Sequence, residues 1–295
     1  MSHTWRLGHD RGLALDRPRI IAILNVTPDS FFDGSRLTTR EAALAAAITA
    51  IDAGADMLDI GGESTRPGAV RVSAAEQRER VVPVISAIRA LPSPADGIPI
   101  SIDTTLAEVA DAALRAGADA INDVAAGLED PSMFDVAAAH RAGIILMHRL
   151  RRPEDDSYSD QYAEPPRYDS VVHQVREFLR DRVLAALRAG IAREAILLDP
   201  GLGFGKTVSQ NVDLIRGTGE LGALGFPILS ALSRKSFVGR IACPHRETTP
   251  SERLPGTLAL SVMHMLAGAR IFRVHDVREH AEALKAAWVM SRPGT

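Results

Sequence analysis

The chain has 295 residues, 46% of them hydrophobic and 24% charged, and its formal net charge at pH 7 is −3. That length and hydrophobic content suffice for one well-packed domain, and the small net charge argues against general binding to nucleic acid or to an anionic membrane. The single cysteine, Cys243, excludes an internal disulfide, and without a signal peptide or an apolar run of about 18 residues we expect a cytoplasmic protein outside the membrane.

Short apolar runs alternate with alanine-rich stretches of helical spacing along the chain. Residues 4–15 predict a small hairpin, with Trp5 and Leu7 before the turn and Leu13 and Leu15 after it. Strands are predicted at 19–24, 55–60, 98–102, 118–122, 143–147, 195–198, 226–229 and 269–274. Helical spacing marks 39–53, 74–91 and 106–116 among the stretches between them.

Strands that alternate strictly with helices predict a parallel sheet. We therefore predict an α/β fold, a single (β/α)8 TIM barrel over residues 18–290, with an N-terminal hairpin over 1–17 and a loose tail over 291–295. The rival is a doubly wound open sheet. Its glycine fingerprint is missing, because the first strand is followed by Asn25-Val26-Thr27-Pro28-Asp29-Ser30.

The segment Gly201–Thr207 is rich in glycine but is not a P-loop. The first glycine of that motif would fall at position 200, which is Pro200. We interpret the segment as a flexible loop over the pocket, with Phe204 as a packing surface.

Polar residues at the predicted strand ends are the candidates for chemistry, since all strands of a barrel end at one mouth. Asp103 and Asp199 each end a very apolar strand, where a carboxylate is costly to bury without a partner. Each is either a structural ion pair or helix cap, or an acceptor for paired N–H groups of a heterocycle. Asn122, at another strand end, adds a donor and an acceptor.

A second set of polar residues suits phosphate. Arginine and protonated histidine favour phosphate oxygens, and Asn or Thr assist them or bind a hydrated metal. The set comprises Asn25, Thr65, Arg66, Arg273 and His275. Ser233-Arg234-Lys235-Ser236 follows the seventh strand, where barrels often bind phosphate, although the same residues also suit a basic helix start.

Taken in order, these segments closely resemble the dihydropteroate synthases of the pterin-binding barrel family. The matching motifs are Asn25-Val26-Thr27-Pro28-Asp29-Ser30-Phe31, Gly61-Gly62-Glu63-Ser64-Thr65-Arg66-Pro67-Gly68, Ile121-Asn122-Asp123, Leu198-Asp199-Pro200-Gly201, Ser233-Arg234-Lys235-Ser236 and Ile271-Phe272-Arg273-Val274-His275-Asp276. The resemblance implies condensation of 6-hydroxymethyl-7,8-dihydropterin diphosphate with 4-aminobenzoate, with release of diphosphate.

The resemblance also implies residue roles, a Mg²⁺ cofactor and a homodimer. The pterin would be held by Asp103, Asn122, Asp199, Lys235 and Arg273, and the diphosphate by Asn25, Thr65, Arg66 and His275, with Asn25 as the Mg²⁺ ligand. The aminobenzoate would be lined by Phe31, Thr65, Pro67, Phe204 and Ser233. Asp103, Asp29 and Lys235 would be catalytic, and the loop with Asp29 and Phe31 would close over the substrates.

One segment departs from the family motif. The family usually has Met-His-Met-Gln-Gly after strand five, whereas this chain has Met147-His148-Arg149-Leu150-Arg151 and then an insertion through Pro166. Two other functions remain open on sequence: a methyltetrahydrofolate:corrinoid methyltransferase, and a catalytically silent pterin-binding paralogue. The methyltransferase would not need Thr65-Arg66-Pro67 or the Lys235 motif, and the silent protein would not need closing loops.

Overall fold

The structure, a computed structural model, describes residues 4–27 and 39–292. The strands in chain order are β1 Thr4–Arg6, β2 Gly12–Ala14, β3 Arg19–Asn25, β4 Met57–Gly61, β5 Ile100–Asp103, β6 Ala120–Asp123, β7 Gly143–Met147, β8 Ile196–Asp199, β9 Leu229–Ser230 and β10 Ile271–Val274. The helices are α1 Thr39–Asp52, α2 Ala74–Arg89, α3 Ala107–Arg115, α4 Met133–Ala139, α5 Val171–Arg188, α6 Val208–Arg216, α7 Thr218–Gly222, α8 Ser236–Ala242, α9 Leu254–Ala267 and α10 Val277–Met290.

Strands β3 to β10 form one parallel sheet of eight, in the order β8-β7-β6-β5-β4-β3-β10-β9. A parallel bridge between Leu198 and Ile228 joins the two ends and closes the barrel. The predicted (β/α)8 barrel is therefore confirmed. Among the described residues, no helix is both long enough and apolar enough to cross a membrane.

The seventh barrel strand is shorter than the predicted 226–229. Only Leu229 and Ser230 pair as a strand, since Pro227 has no N–H to donate and contributes its carbonyl alone, which accepts from the Leu198 N–H at 3.0 Å. The connection after the Lys235 motif is partly helical, because α8 covers Ser236–Ala242 and a short 3-10 helix covers Ser251–Arg253.

Alternation along each strand divides the barrel into an outer and an inner face. On β3, Ile20, Ala22 and Leu24 join the core beneath the helices, whereas Ile21 points into the barrel. The inner layer at the amino end of the strands is apolar and consists of Ile21, Met57, Ala120, Ile145, Leu197, Leu229 and Ile271. Two residues further along β4, β6, β8 and β10, the inward positions carry the polar Asp59, Asn122, Asp199 and Arg273, so the polar part of the site is built directly on this apolar floor.

The predicted hairpin is present, and β1 and β2 pair as antiparallel strands. Its Trp5, Leu7 and Leu13 pack against the apolar inner layer and plug the amino end of the barrel. The Trp5 indole N–H donates to the Ala195 carbonyl at 2.8 Å. The hairpin thus supplies core to the barrel at the end opposite the strand ends that carry the polar residues.

Candidate active site

An open cavity of about 210 Å³ lies at the carboxyl ends of the barrel strands. Eleven of the residues predicted from the sequence lie in its wall: Asn25, Thr65, Arg66, Pro67, Asn122, Asp199, Phe204, Ser233, Lys235, Arg273 and His275. Asp103 does not line the cavity itself. It lies behind Arg273, which donates a hydrogen bond to it. Asp29 and Phe31 lie outside the described residues.

Arg273 is the central cation of the cavity floor. Its Nε donates to Asp59 Oδ2 at 2.5 Å and its Nη2 donates to Asp103 Oδ2 at 2.6 Å. Burial alone would lower the pKa of Arg273, but the charges of Asp59 and Asp103 outweigh burial and raise it, so the guanidinium stays charged. One planar cation therefore ties together the ends of three strands.

Asp59 is a buried member of this floor that sequence reasoning did not assign. Its Oδ1 accepts from Ser101 Oγ at 2.5 Å, and its Oδ2 accepts from Asn122 Nδ2 at 3.1 Å. The sequence does contain a sign of this role. Asp59 is a carboxylate within the otherwise apolar strand Met57–Gly61, at a position that faces into the barrel. A carboxylate there needs partners supplied by other strands.

Asp103 is buried and only partly satisfied. Its Oδ2 accepts from Arg273, whereas its Oδ1 has no hydrogen-bond partner among the described residues. Burial raises the pKa of Asp103, the Arg273 charge opposes that rise, and the Asp59 charge adds to it. The ion pair expected as one alternative is present, and the unpartnered oxygen is buried behind the cavity wall.

Lys235, which is partly buried in the cavity wall, lies close enough to the buried Asp199 for their opposite charges to interact. Lys235 Nζ donates to the Leu202 carbonyl and lies 4.3 Å from the centre of the Phe204 ring. Burial lowers the pKa of Lys235 to about 8, although the charge of Asp199 opposes the fall. Burial likewise raises the pKa of Asp199, against the attraction of Lys235 and a 2.7 Å hydrogen bond from the Gly201 N–H.

His275 differs from the expectation of a protonated histidine. Desolvation in the cavity and the nearby charges of Arg273 and Arg234 lower the pKa of His275 well below its usual range, which favours the neutral ring, although the residue is still exposed to solvent. Ser233 Oγ lies 3.0 Å from Nδ1 and accepts from the His275 backbone N–H at 3.2 Å. The serine hydroxyl is then free to donate to Nδ1, which favours the tautomer with a proton on Nε2.

The glycine-rich segment after β8 is held by Lys206, whose burial the sequence did not reveal. Lys206 Nζ donates to the carbonyls of Gly201 and Phe204, both at 2.8 Å, and lies 3.0 Å from His148 Nδ1. Gly201 has a positive φ of 69°, and a Cβ there would come within 1.8 Å of the His148 carbonyl oxygen. Glycine is therefore required where this loop crosses the end of β7.

The cavity wall includes oxygen donors that suit Mg²⁺, among them the Asn25 side-chain amide. No group of three or more His, Cys, Asp or Glu side chains in the described part of the chain could hold a metal by itself. Asn25 ends β3 in the cavity wall, beside Thr65 and His275. Because Mg²⁺ keeps several waters and is commonly bound through substrate phosphates, a single protein oxygen at this place fits a substrate-bound ion.

Comparison with known proteins agrees with this geometry. The pattern of the family described as pterin binding enzyme matches residues 21–275. The dihydropteroate synthase of Synechocystis is 44% identical over 271 residues, which span 92% of this chain and 89% of that protein.

Two solved structures of Xanthomonas albilineans dihydropteroate synthase superpose closely. One, with 4-aminobenzoic acid, has a TM-score of 0.87 at 43% identity and covers 98% of this chain and 100% of that chain. The other, in complex with 7,8-dihydropteroate, has a TM-score of 0.82 at 41% identity and covers 96% of this chain and 97% of that chain. The chain therefore belongs to the pterin binding enzyme family, within its dihydropteroate synthases.

Proposed function

We propose that the chain is a transferase that condenses 6-hydroxymethyl-7,8-dihydropterin diphosphate with 4-aminobenzoate to give 7,8-dihydropteroate and diphosphate. The observation that carries the proposal is a single cavity with buried carboxylates in its floor and cations around them. Related structures carry 4-aminobenzoic acid and 7,8-dihydropteroate. The methyltransferase and the silent paralogue have no observation of their own that favours them.

The pterin is assigned to the floor. Asp199 and Asn122 offer acceptors and a donor to the ring edge, and Lys235 offers a further N–H donor. Arg273 presents a planar guanidinium in the same wall, which suits stacking on a flat heterocycle. Asp103 lies behind Arg273 and accepts a hydrogen bond from it.

The diphosphate is assigned to Asn25, Thr65, Arg66 and His275. Arg66 supplies the charge in this group, and neutral His275 contributes an Nε2–H donor, not a positive charge. Mg²⁺ bound at Asn25 would neutralise charge on the leaving diphosphate. The aminobenzoate is assigned to Thr65, Pro67, Phe204 and Ser233, with Phe31 as a further member outside the described residues.

The reaction needs no protein nucleophile. The bond between the exocyclic pterin carbon and the diphosphate oxygen breaks, the amine nitrogen of aminobenzoate forms the new bond, and the amine loses one proton. Asp103 carries negative charge beneath the pterin and stabilises the cationic carbon as the diphosphate departs. Lys235 fixes the pterin, and Asp29 belongs to the loop expected to exclude water.

The assembly and the compartment are part of the same proposal. A homodimer is supported by two large apolar side chains exposed on α9, Met263 and Leu266, which are 57% and 56% exposed. A reducing cytoplasm is supported by the single free cysteine, Cys243.

The test is an assay of the purified chain with both substrates and Mg²⁺, in which dihydropteroate is identified by mass. We expect product, loss of turnover on chelation and recovery when Mg²⁺ is restored. Absence of product with both substrates and Mg²⁺ present would reject the proposed reaction. Turnover that is unaffected by excess chelator would reject the metal and the role of Asn25.

A further inference from the structure

The segment 149–167, between β7 and α5, contributes an aromatic side chain to the cavity. Tyr158 lies in the wall and is 38% exposed. Its hydroxyl makes no hydrogen bond within residues 4–27 and 39–292. This is the region in which the sequence departs from the family motif, so Tyr158 is not among the site residues inferred from that motif.

One part of this segment is fixed to the loop that carries Pro67. The Gly68 N–H donates to the Pro153 carbonyl at 2.8 Å. Glu129 joins the same two regions, because it pairs with Arg71 at 2.7 Å and with the buried Arg149 at 2.5 Å. Burial would raise the pKa of Glu129, but a hydrogen bond from Thr105 and the arginines outweigh it and hold that pKa at about 2. The carboxylate is therefore charged at neutral pH.

The next part of the segment is fixed to the loop that carries Phe204. Asp156 Oδ2 accepts from the Gly205 N–H at 2.7 Å, and its Oδ1 accepts from the Tyr162 hydroxyl at 2.6 Å. Ser159 Oγ accepts from Asn211 Nδ2 at 3.1 Å, and Asn211 in turn accepts from the Gly203 N–H at 2.7 Å. Asp156 and Ser159 are both buried, so these contacts are shielded from water.

Tyr158 lies within the second of these anchors, between Asp156 and Ser159. Asp156, two residues before it, bonds to Gly205, and Ser159, the next residue, bonds to Asn211, which in turn bonds to Gly203. Tyr158 is therefore tied to the backbone on both sides of Phe204, and both aromatic side chains line the cavity. An aromatic ring at this position packs against a flat aryl ring, and its hydroxyl can donate to a carboxylate.

We propose that Tyr158 is a further specificity-determining residue, a wall of the arylamine end of the cavity held in place by segment 149–167. The inference rests on the proposed function, since it assigns the Phe204 end of the cavity to the arylamine. The ligand class is a planar arylamine with an acidic group para to the amine.

The test measures KM separately for the two substrates in Tyr158→Ala and Tyr158→Phe. Losing an aromatic contact of ordinary strength corresponds to about a tenfold change in affinity. We expect Tyr158→Ala to raise KM for 4-aminobenzoate about tenfold and to leave KM for the pterin diphosphate within about twofold. Tyr158→Phe keeps the ring and should raise KM for 4-aminobenzoate less than the alanine variant does.

The matched control is Glu164→Ala, which alters an exposed residue of the same segment and should leave both KM values unchanged. Thermal melting checks that each variant is folded. If Tyr158→Ala leaves KM for 4-aminobenzoate unchanged, or raises both KM values equally, Tyr158 is not a wall of the arylamine site.

A binding measurement separates this inference from the proposed reaction. Calorimetry titrates 4-aminobenzoate into the full chain with an unreactive pterin, diphosphate and Mg²⁺ present. Weaker binding by Tyr158→Ala than by Glu164→Ala would support the inference even if turnover were absent. Equal 4-aminobenzoate binding by the two variants would overturn the inference about Tyr158. The proposed function would still stand if the wild-type chain turned over both substrates.

Discussion

Asp103 is the residue whose charge bears most directly on the chemistry. Its carboxylate accepts from Arg273 at 2.6 Å, burial raises its pKa to about 7, and one of its oxygens has no partner among the described residues. We expect Asp103→Asn to lower kcat by about 10²–10³-fold, because a preorganised charge matters most when positive charge develops on the pterin carbon. Binding of an unreactive pterin should weaken by less than about tenfold, since the amide still accepts a hydrogen bond. Single-turnover kinetics and calorimetry measure the two quantities.

Asp135→Asn is the control for this substitution. Asp135 is an exposed aspartate on α4, and its loss should change neither quantity. If Asp103→Asn lost pterin affinity and rate equally, Asp103 would be a binding residue with no special role in the transition state.

Lys235 should give the reaction a pH dependence. Burial lowers its pKa to about 8, so the amine is charged below that pH and neutral above it. We expect kcat/KM for the pterin diphosphate to fall as pH rises through about 8, because the neutral amine no longer attracts the substrate. In Lys235→Arg, which keeps its charge, the fall near pH 8 should be absent.

Lys206 must be separated from Lys235 in this experiment, because burial lowers its pKa to about 7. Its amine is fully buried against loop carbonyls and outside the cavity wall. The pH profile of Lys206→Met should therefore retain the fall near pH 8. A fall that persisted in Lys235→Arg would assign the titration to another group.

At the scale of single elements, the glycine loop after β8 depends on one side chain. Lys206→Met removes the lysine donor from the buried Phe204 carbonyl, at a cost of about 1–3 kcal/mol, and leaves the Gly201 carbonyl with the Phe204 N–H as its donor. We expect a lower free energy of unfolding and a higher KM for 4-aminobenzoate, since Phe204 is no longer fixed. Urea denaturation and steady-state kinetics test these two effects.

The chain offers a matched control in Lys285→Met, which alters an exposed lysine on α10 and should change neither quantity. A large loss of kcat in Lys206→Met with unchanged stability would contradict the structural role and place Lys206 in the chemistry.

The elements were more predictable than the contacts between them. Short apolar runs marked the barrel strands of the described region to within a few residues, because strand patterning is a local property. Asp59 and Arg273 are 214 residues apart, and their pairing depends on barrel closure, which no local pattern contains. The burial of Lys206 was missed for the same reason, since its partners are carbonyls that only the folded loop brings together.

The neutral state of His275 is a similar case. Its sequence context indicated a cation for phosphate, but the cavity surroundings and the neighbouring Arg273 and Arg234 that lower its pKa exist only in the folded protein. The positions of site residues on strand ends could thus be predicted, whereas their charge states could not.

At the scale of the whole molecule, the hairpin and the barrel share one core. Trp5 is fully buried against the inner layer at the amino end of the strands, far along the barrel axis from the polar ends that form the cavity. We expect Trp5→Ala to lower the free energy of unfolding by about 3–5 kcal/mol, as for other large aromatic side chains removed from a core. Hairpin and barrel should still unfold in a single transition, because the hairpin completes the barrel's own core.

Urea denaturation followed by circular dichroism measures this loss, and Trp288→Ala is its control. Trp288 is only partly buried on α10, so its replacement by alanine should lower the free energy of unfolding by less than Trp5→Ala does. Below the transition, kcat of Trp5→Ala should stay within about twofold of wild type, since the substitution leaves the strand ends in place. A separate early transition, or no loss of stability at all, would mean that the hairpin is an independent appendage and that the barrel closes its amino end without it.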